Sequence, residues 1–235
     1  SADELGIRLK LMDIFGEIMG IIKHPKHGYG KGMNPCIDCH TLMLKKAKEY
    51  MLQTGASFIA TGEVLGQRPM SQHLRAMGII ERESGLEGLL LRPLSARLLK
   101  PTIPEQNGWI DREKLLDISG RSRKIQIALA KELNLNEYSS PAGGCLLTDS
   151  IFAKKMRDLL THTPDPSWHD VQLLKLGRHF RLSDKLKVVV ARNDEENKRL
   201  LNLIEKGDTM LMVSNQKGPL SVCKGEISRE QQLAA

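Results

Sequence analysis

Aromatic residues make up only 4% of this 235-residue chain, cysteines number four, and long apolar runs are missing. So few rings argue against a broad platform on which single strands stack. Without a run of about 18 apolar residues, the sequence encodes no spanning helix, and no membrane partner is expected. The opening Ser-Ala-Asp-Glu-Leu-Gly-Ile has neither the basic leader nor the apolar core of a secretory signal. Four cysteines do not make a disulfide framework for a chain this size, so a reducing cytoplasm is the expected compartment. Phosphate-cradling Walker A loops, Gly-x-Gly-x-x-Gly and Gly-x-Ser-x-Gly are also missing, which removes three common catalytic signatures. No internal repeat or low-complexity segment occurs.

The chain carries 35 Lys+Arg against 28 Asp+Glu, a formal net charge of +7, which favours a polyanionic partner such as RNA or DNA. At 40% hydrophobic it can bury a real core. The texture changes after the proline-containing stretch Thr161–Asp170, so two units are expected, a larger one over 1–163 and a smaller one over 168–235.

In the first unit, Ile7–Met12 reads as a strand and Ile14–Ile22 as a helix. Met43, Ala47, Tyr50 and Met51 recur at helical spacing over Thr41–Gln53, with Gly55 placed to end the helix. Ser57–Thr61 then reads as a buried strand, giving an αβ unit and a parallel sheet. The stretch 66–108 reads as loop-rich, apart from a strand over Glu87–Leu94. Asp111, Ser122 and Asp149 are candidate caps for helices over Arg112–Ile118, Arg123–Leu133 and up to Leu160. Beyond the linker, strands at Val188–Ala191 and Thr209–Val213 flank a helix over Asp194–Lys206.

Three cysteines carry the strongest chemical signal. Cys36 and Cys39 form a Cys-x-x-Cys pair just ahead of a helix, where the helix dipole favours thiolate. Cys145 is remote and follows Pro141-Ala142-Gly143-Gly144, whose glycines allow close backbone approach. Together they offer three soft ligands for zinc or an iron–sulfur cluster, with one position left for chemistry. The pair alone fits a redox couple, a zinc half-site or a cluster half-site. His40 is a candidate fourth ligand or a packed neighbour, and Cys223 reads as structural. Thr61-Gly62-Glu63 ends a parallel strand, where open sheets bind ligands. Arg121, Ser122, Arg123 and Lys124 open a helix after Gly120, a candidate phosphate site. Arg68, His73 and Arg75 make a basic loop, and Arg178, His179, Arg181, Lys185, Lys187 and Arg192 make the second unit basic, as contacts to a nucleic-acid backbone require.

At these motifs the chain resembles the PP-loop ATP pyrophosphatase-type tRNA thiouridine synthases. It is similar to the tRNA 2-thiouridylase-like branch in which an RNA-binding domain of NFACT type follows the catalytic domain. The resemblance is carried by Gly30-Lys31-Gly32-Met33-Asn34-Pro35-Cys36-Ile37-Asp38-Cys39-His40, by Ala60-Thr61-Gly62-Glu63-Val64-Leu65-Gly66-Gln67-Arg68-Pro69-Met70-Ser71-Gln72, and by Leu91-Arg92-Pro93-Leu94-Ser95. Ile118-Ser119-Gly120-Arg121 and Ser140-Pro141-Ala142-Gly143-Gly144-Cys145 extend it, and Arg178-His179-Phe180 with Val190-Ala191-Arg192-Asn193 resemble the RNA-binding domain.

The resemblance implies an α/β fold: a Rossmann-like, adenine nucleotide alpha hydrolase-like parallel sheet with a small C-terminal α+β domain. It implies a tRNA sulfurtransferase that uses ATP with magnesium to adenylate a uridine carbonyl, so that sulfur displaces AMP. It implies that Cys36, Cys39 and Cys145 hold a [4Fe-4S] cluster that carries the sulfur. Thr61, Gly62, Glu63 and Arg121 then face the nucleotide, and Arg68, Arg75, Arg178, His179 and Arg192 face RNA. The partner is tRNA, the sulfur donor is left open, and a homodimer is one possible assembly. The family's Ser-Gly-Gly-x-Asp-Ser loop is absent here, so the chain is expected to be a fragment that begins in the second βα unit, the alternative being a protein that has lost ATP chemistry. The alternatives are a non-catalytic RNA-binding protein with a structural zinc, and a tRNA methyltransferase, for which no S-adenosylmethionine glycine motif occurs.

Overall fold

The computed structural model describes residues 2–136, 138, 144–214 and 216–225. The chain divides into two compact units, Ser1–Cys145 and Leu146–Ala235.

The N-terminal unit contains α1 (Phe15–Lys23), α2 (Cys36–Thr54), β1 (Ile59–Ala60), α3 (Leu74–Ser84), β2 (Leu90–Leu91), α4 (Ile103–Gln106) and α5 (Lys124–Glu132). Apolar residues from α2, α3 and β2 meet in one core, where Leu44, Met51, Ile80, Leu86 and Leu90 pack together. Gly55 ends α2 at φ +70°, in the left-handed conformation that glycine adopts without a Cβ penalty. β1 and β2 run parallel, Ile59 opposite Leu90 and Ala60 opposite Leu91. A single parallel bridge, Leu65 to Ser119, continues this edge.

The parallel sheet expected from the αβ pattern is therefore present but has only two short strands among the described residues; the larger Rossmann-like sheet is not seen. Ile7–Met12, read as a strand, has no regular structure, and Leu9 and Leu11 are exposed. An extended segment is held only when its backbone N–H and C=O groups are paired. The supposedly loop-rich 66–108 stretch contains α3, which buries Ala76, Met77 and Ile80. Ser122 does not cap α5; Arg123 occupies that position without a side-chain cap bond. Asp111 caps only a short 3-10 turn, Arg112–Lys114.

The C-terminal unit contains α6 (Ser150–His162), α7 (Trp168–Leu173), β3 (Arg178–Ser183), β4 (Leu186–Val190), α8 (Asp194–Leu201), β5 (Thr209–Leu211) and β6 (Ser221–Lys224). The strands form an antiparallel sheet in the order β3-β4-β6-β5. One cluster joins Leu173, Leu176, Val189, Ala191, Leu200, Leu220 and Val222; a second gathers Leu186, Val188 and Cys223. Side chains alternate between the two faces of a strand, so β4 sends Val189 to the first cluster and Val188 to the second. Asp149 caps α6, its Oδ1 accepting from the Phe152 amide at 2.8 Å. α6 belongs to this unit, whereas the sequence placed the join beyond it at Thr161–Asp170. The reason lies in Asp158 of α6, which accepts hydrogen bonds from Arg181 of β3 and Lys187 of β4, each at 2.8 Å.

Candidate functional site

Cys36 is the first residue of α2, where unpaired helix N–H groups favour an anion. Asn34-Pro35 ahead of it and Asp38 in the first turn suit a helix start, so α2 begins five residues before the expected Thr41. That extension puts Cys36 and His40 at i and i+4, on one helix face. His40 Nδ1 lies 2.9 Å from Glu63 Oε1. Its other ring nitrogen remains for the Cys36 sulfur, to which the imidazole is hydrogen bonded.

Glu63 sits just past β1 and is buried. Its Oε2 accepts from Arg92 Nε at 3.0 Å and from the Thr61 hydroxyl at 3.4 Å. Arg92 follows β2, is 4% exposed, and donates through Nη1 to Glu81 of α3 at 2.9 Å. Two parallel strands thus end in a carboxylate and a guanidinium that bond each other, and the chain Cys36–His40–Glu63–Arg92–Glu81 links α2, both strand ends and α3.

The charges follow from these contacts. Burial raises the Cys36 thiol, but the neighbouring polar side chains of His40, Ser71 and Asn34 and the His40 charge outweigh it and hold the thiol below its ordinary pKa. Burial lowers His40, yet its bonds to Cys36 and Glu63 push it up to about 9. Burial works against the Glu63 carboxylate, but His40 and Arg92 hold its pKa below the ordinary range. The contacts shift Cys36 toward thiolate and Glu63 toward carboxylate, with the His40 imidazolium between them.

Cys39, one turn further along α2, is pushed up to about 11 by burial and by the charges of Cys145 and Cys36, with Arg68 acting in the opposite sense. The structure therefore brings all three expected cysteines, and Arg68, into one electrostatic neighbourhood. None of the four cysteines forms a disulfide. Among the described residues, no group of three or more His, Cys, Asp or Glu side chains is arranged around a metal position. The fit of a metal rests on donor chemistry, three sulfurs of which one is already inclined to ionise. Ser140–Gly143, part of the motif ahead of Cys145, lie outside the described residues.

The remaining expected residues fall as follows. Thr61 is half-buried and Gly62 exposed, both at the end of β1. Arg121 is exposed and follows Gly120, whose amide donates to the Leu65 carbonyl at 2.7 Å, so it stands at the same strand edge. Arg75 lies exposed in the first turn of α3, and His73 caps that helix. In the C-terminal unit Arg178 is exposed, and Arg192 is ion-paired with the buried Glu196. His179 turns inward: its Nε2 donates to the carbonyls of Leu176 at 2.9 Å and Leu173 at 3.2 Å. Burial, then the charges of Lys155 and Lys187, push it down to about 4. Cys223 is fully buried in β6.

Sequence reading passed over Arg92, Glu81 and Ser71 as site residues. The first follows a strand and the second lies on a helix, in a stretch that its prolines had made read as loop. Only the i,i+4 spacing of Cys36 and His40 was available as a signal, and it required the correct helix start.

No helix among the described residues is long and apolar enough to cross a membrane. No match to the chain was found among curated proteins or among solved structures. Residues 177–235, which include the whole antiparallel sheet, match the family model of the NFACT protein RNA binding domain, and this match supports RNA as a partner.

Proposed function

We propose that the chain is part of a tRNA thiouridine synthase, in which the C-terminal unit holds RNA and the three-cysteine site of the N-terminal unit handles sulfur. The observation that carries this reading is that Cys145, remote in sequence, lies within electrostatic reach of Cys39, as Cys36 does at the start of α2. Cys36, Cys39 and Cys145 would hold a [4Fe-4S] cluster, which supplies an open iron to carry sulfur.

The chain's own residues do the rest. His40 bonds Cys36 and favours its thiolate; Glu63 fixes the imidazole, and Arg92 fixes Glu63. Thr61, Gly62 and Arg121 stand at the strand edge, where an ATP-activated base would be presented. The Ser-Gly-Gly-x-Asp-Ser loop that grips ATP in this family does not occur in the sequence, so the residues here supply the sulfur side of the site.

One observation favours a second reading. No metal-holding group is arranged among the described residues, while the Cys36–His40–Glu63 chain is complete. On that reading the Cys36 thiolate attacks the outer sulfur of a persulfide donor, forming a Cys36 persulfide and releasing the donor's thiolate, with no cluster involved.

Mass spectrometry of tRNA nucleosides tests the shared claim. A strain carrying Cys36→Ser should lose one thiolated uridine that the parent contains. An unchanged nucleoside profile in the presence of folded variant contradicts sulfur transfer to tRNA.

A further inference from the structure

Two cavities in the C-terminal unit carry clustered cations, and they differ in what those cations already hold. In one, of about 390 Å³, Asp158 accepts from Arg181 and Lys187, each at 2.8 Å, and Lys224 lies 3.0 Å from Asp208. Three of its cations therefore already have carboxylate partners. The other, of about 400 Å³, is lined by Arg178, Arg192 and Lys217.

Three segments build this second cavity. Arg178 opens β3 opposite Val190, the last residue of β4, so it stands where the chain leaves the sheet for α8. The Ala191 amide there donates to the Leu220 carbonyl at 2.9 Å, which draws the 217–220 stretch alongside. Asn197 of α8 fixes that stretch again. Its Oδ1 accepts from the Leu220 amide at 2.8 Å, and its Nδ2 donates to the Gly218 carbonyl at 3.3 Å. Asn193 caps α8, its Oδ1 accepting from the Glu196 amide at 2.9 Å. The two asparagines thus hold the frame on which the three cations meet.

Arg192 donates through Nε and Nη2 to the buried Glu196, which fixes the guanidinium and leaves Nη1 unengaged among the described residues. Arg178 and Lys217 are exposed, and among the described residues neither is ion-paired. Exposed Asp194 is the one carboxylate in the lining, so even with Glu196 counted the patch stays positive. An anion entering here meets two unpaired cations and an oriented guanidinium, the group that suits phosphate geometry, and displaces no salt bridge.

We propose that this cavity seats a backbone phosphate of the bound RNA, held by Arg178, Arg192 and Lys217. Such contacts fix a protein's register on the strand and carry no sequence information. The proposal rests on the RNA-binding reading of this unit and adds the site and the chemical group it engages.

Fluorescence anisotropy of the full chain with two labelled single-stranded RNAs of unrelated sequence, over a series of salt concentrations, tests it. Arg178→Gln and Lys217→Gln are the variants, because neither strips a described carboxylate of its partner; NMR confirms that each is folded. Each should weaken both RNAs by the same factor and reduce the slope of log affinity against log salt by about one, the share of one phosphate contact. Lys154→Gln, which removes an exposed charge of α6 outside the cavity, should leave the slope unchanged. If the parent chain binds both RNAs and the two variants lower its slope no more than Lys154→Gln does, the site fails and RNA binding stands. Weakening of one RNA only points to a base contact and overturns the phosphate assignment. If neither RNA binds the parent chain, the site and the RNA reading fail together, and shifts of Val190 and Gly218 signals by inorganic phosphate would then assign the cavity to the free anion.

Discussion

Glu63 and Arg92, each just past one of the two paired parallel strands, are bonded through Oε2 and Nε at 3.0 Å. This buried pair fixes His40, and through it the ionisation of Cys36. The pairing of β1 with β2 is thus what sets thiol chemistry at the start of α2.

Glu63→Gln removes the charge that His40 and Arg92 share. The imidazole should lose basicity, and the Cys36 pKa should rise. Each unit of rise costs about tenfold in thiolate at pH values below the original pKa. Alkylation of Cys36 by iodoacetamide across pH 5–9 measures this, with intact-mass mapping to assign the site. An alkylation profile that does not move with Glu63→Gln contradicts the link.

His179 makes the C-terminal unit sensitive to acid. Its folded pKa of about 4 lies below the ordinary histidine value of about 6.5. Between these limits the unfolded chain binds more protons than the folded one, so stability rises with pH across the window. The full effect is at most about 3.5 kcal/mol, at about 1.4 kcal/mol per unit. Thermal melts from pH 4 to pH 7 should show it, and His179→Gln should flatten that part of the curve. An equally steep curve in the variant assigns the acid sensitivity to other groups.

Gly177 precedes β3 at φ +59°, and a Cβ there would lie 2.5 Å from the Val190 carbonyl oxygen. Gly177→Ala adds a close contact to a left-handed cost of about 1–2 kcal/mol, so a loss of more than about 2 kcal/mol is expected by urea unfolding. Gly78, inside α3, has open space where its Cβ would stand. Gly78→Ala should instead gain about 0.5–1 kcal/mol. Equal effects at the two glycines would contradict the backbone account.

Legibility in the sequence followed the range of the signal. α2 announced itself through Met43, Ala47 and Met51 and the stop at Gly55, and β1 and β2 through short apolar runs. The start of α2 was misplaced because Asn34-Pro35 read as loop, and with it went the Cys36–His40 contact. α3 was missed because Pro69, Pro93, Pro101 and Pro104 made the whole stretch read as loop, although Met77 and Ile80 are buried by tertiary packing. Ile7–Met12 has strand-like composition, which cannot form a strand without a paired neighbour. The cysteines stand out in the sequence, while the carboxylate–guanidinium support beside Cys36 and His40 depends on strand pairing that no local pattern encodes. His179, read as an RNA contact, proved to be turned inward, because a strand residue's face is set by register.

The most direct test of the central claim is anaerobic purification of the full chain with assays for iron, acid-labile sulfide and zinc, beside Cys145→Ser. About four irons and four sulfides per chain are expected, lost in Cys145→Ser while the C-terminal unit stays folded by NMR. A colourless protein holding one zinc per chain, or cluster content that Cys145→Ser leaves unchanged, would contradict it.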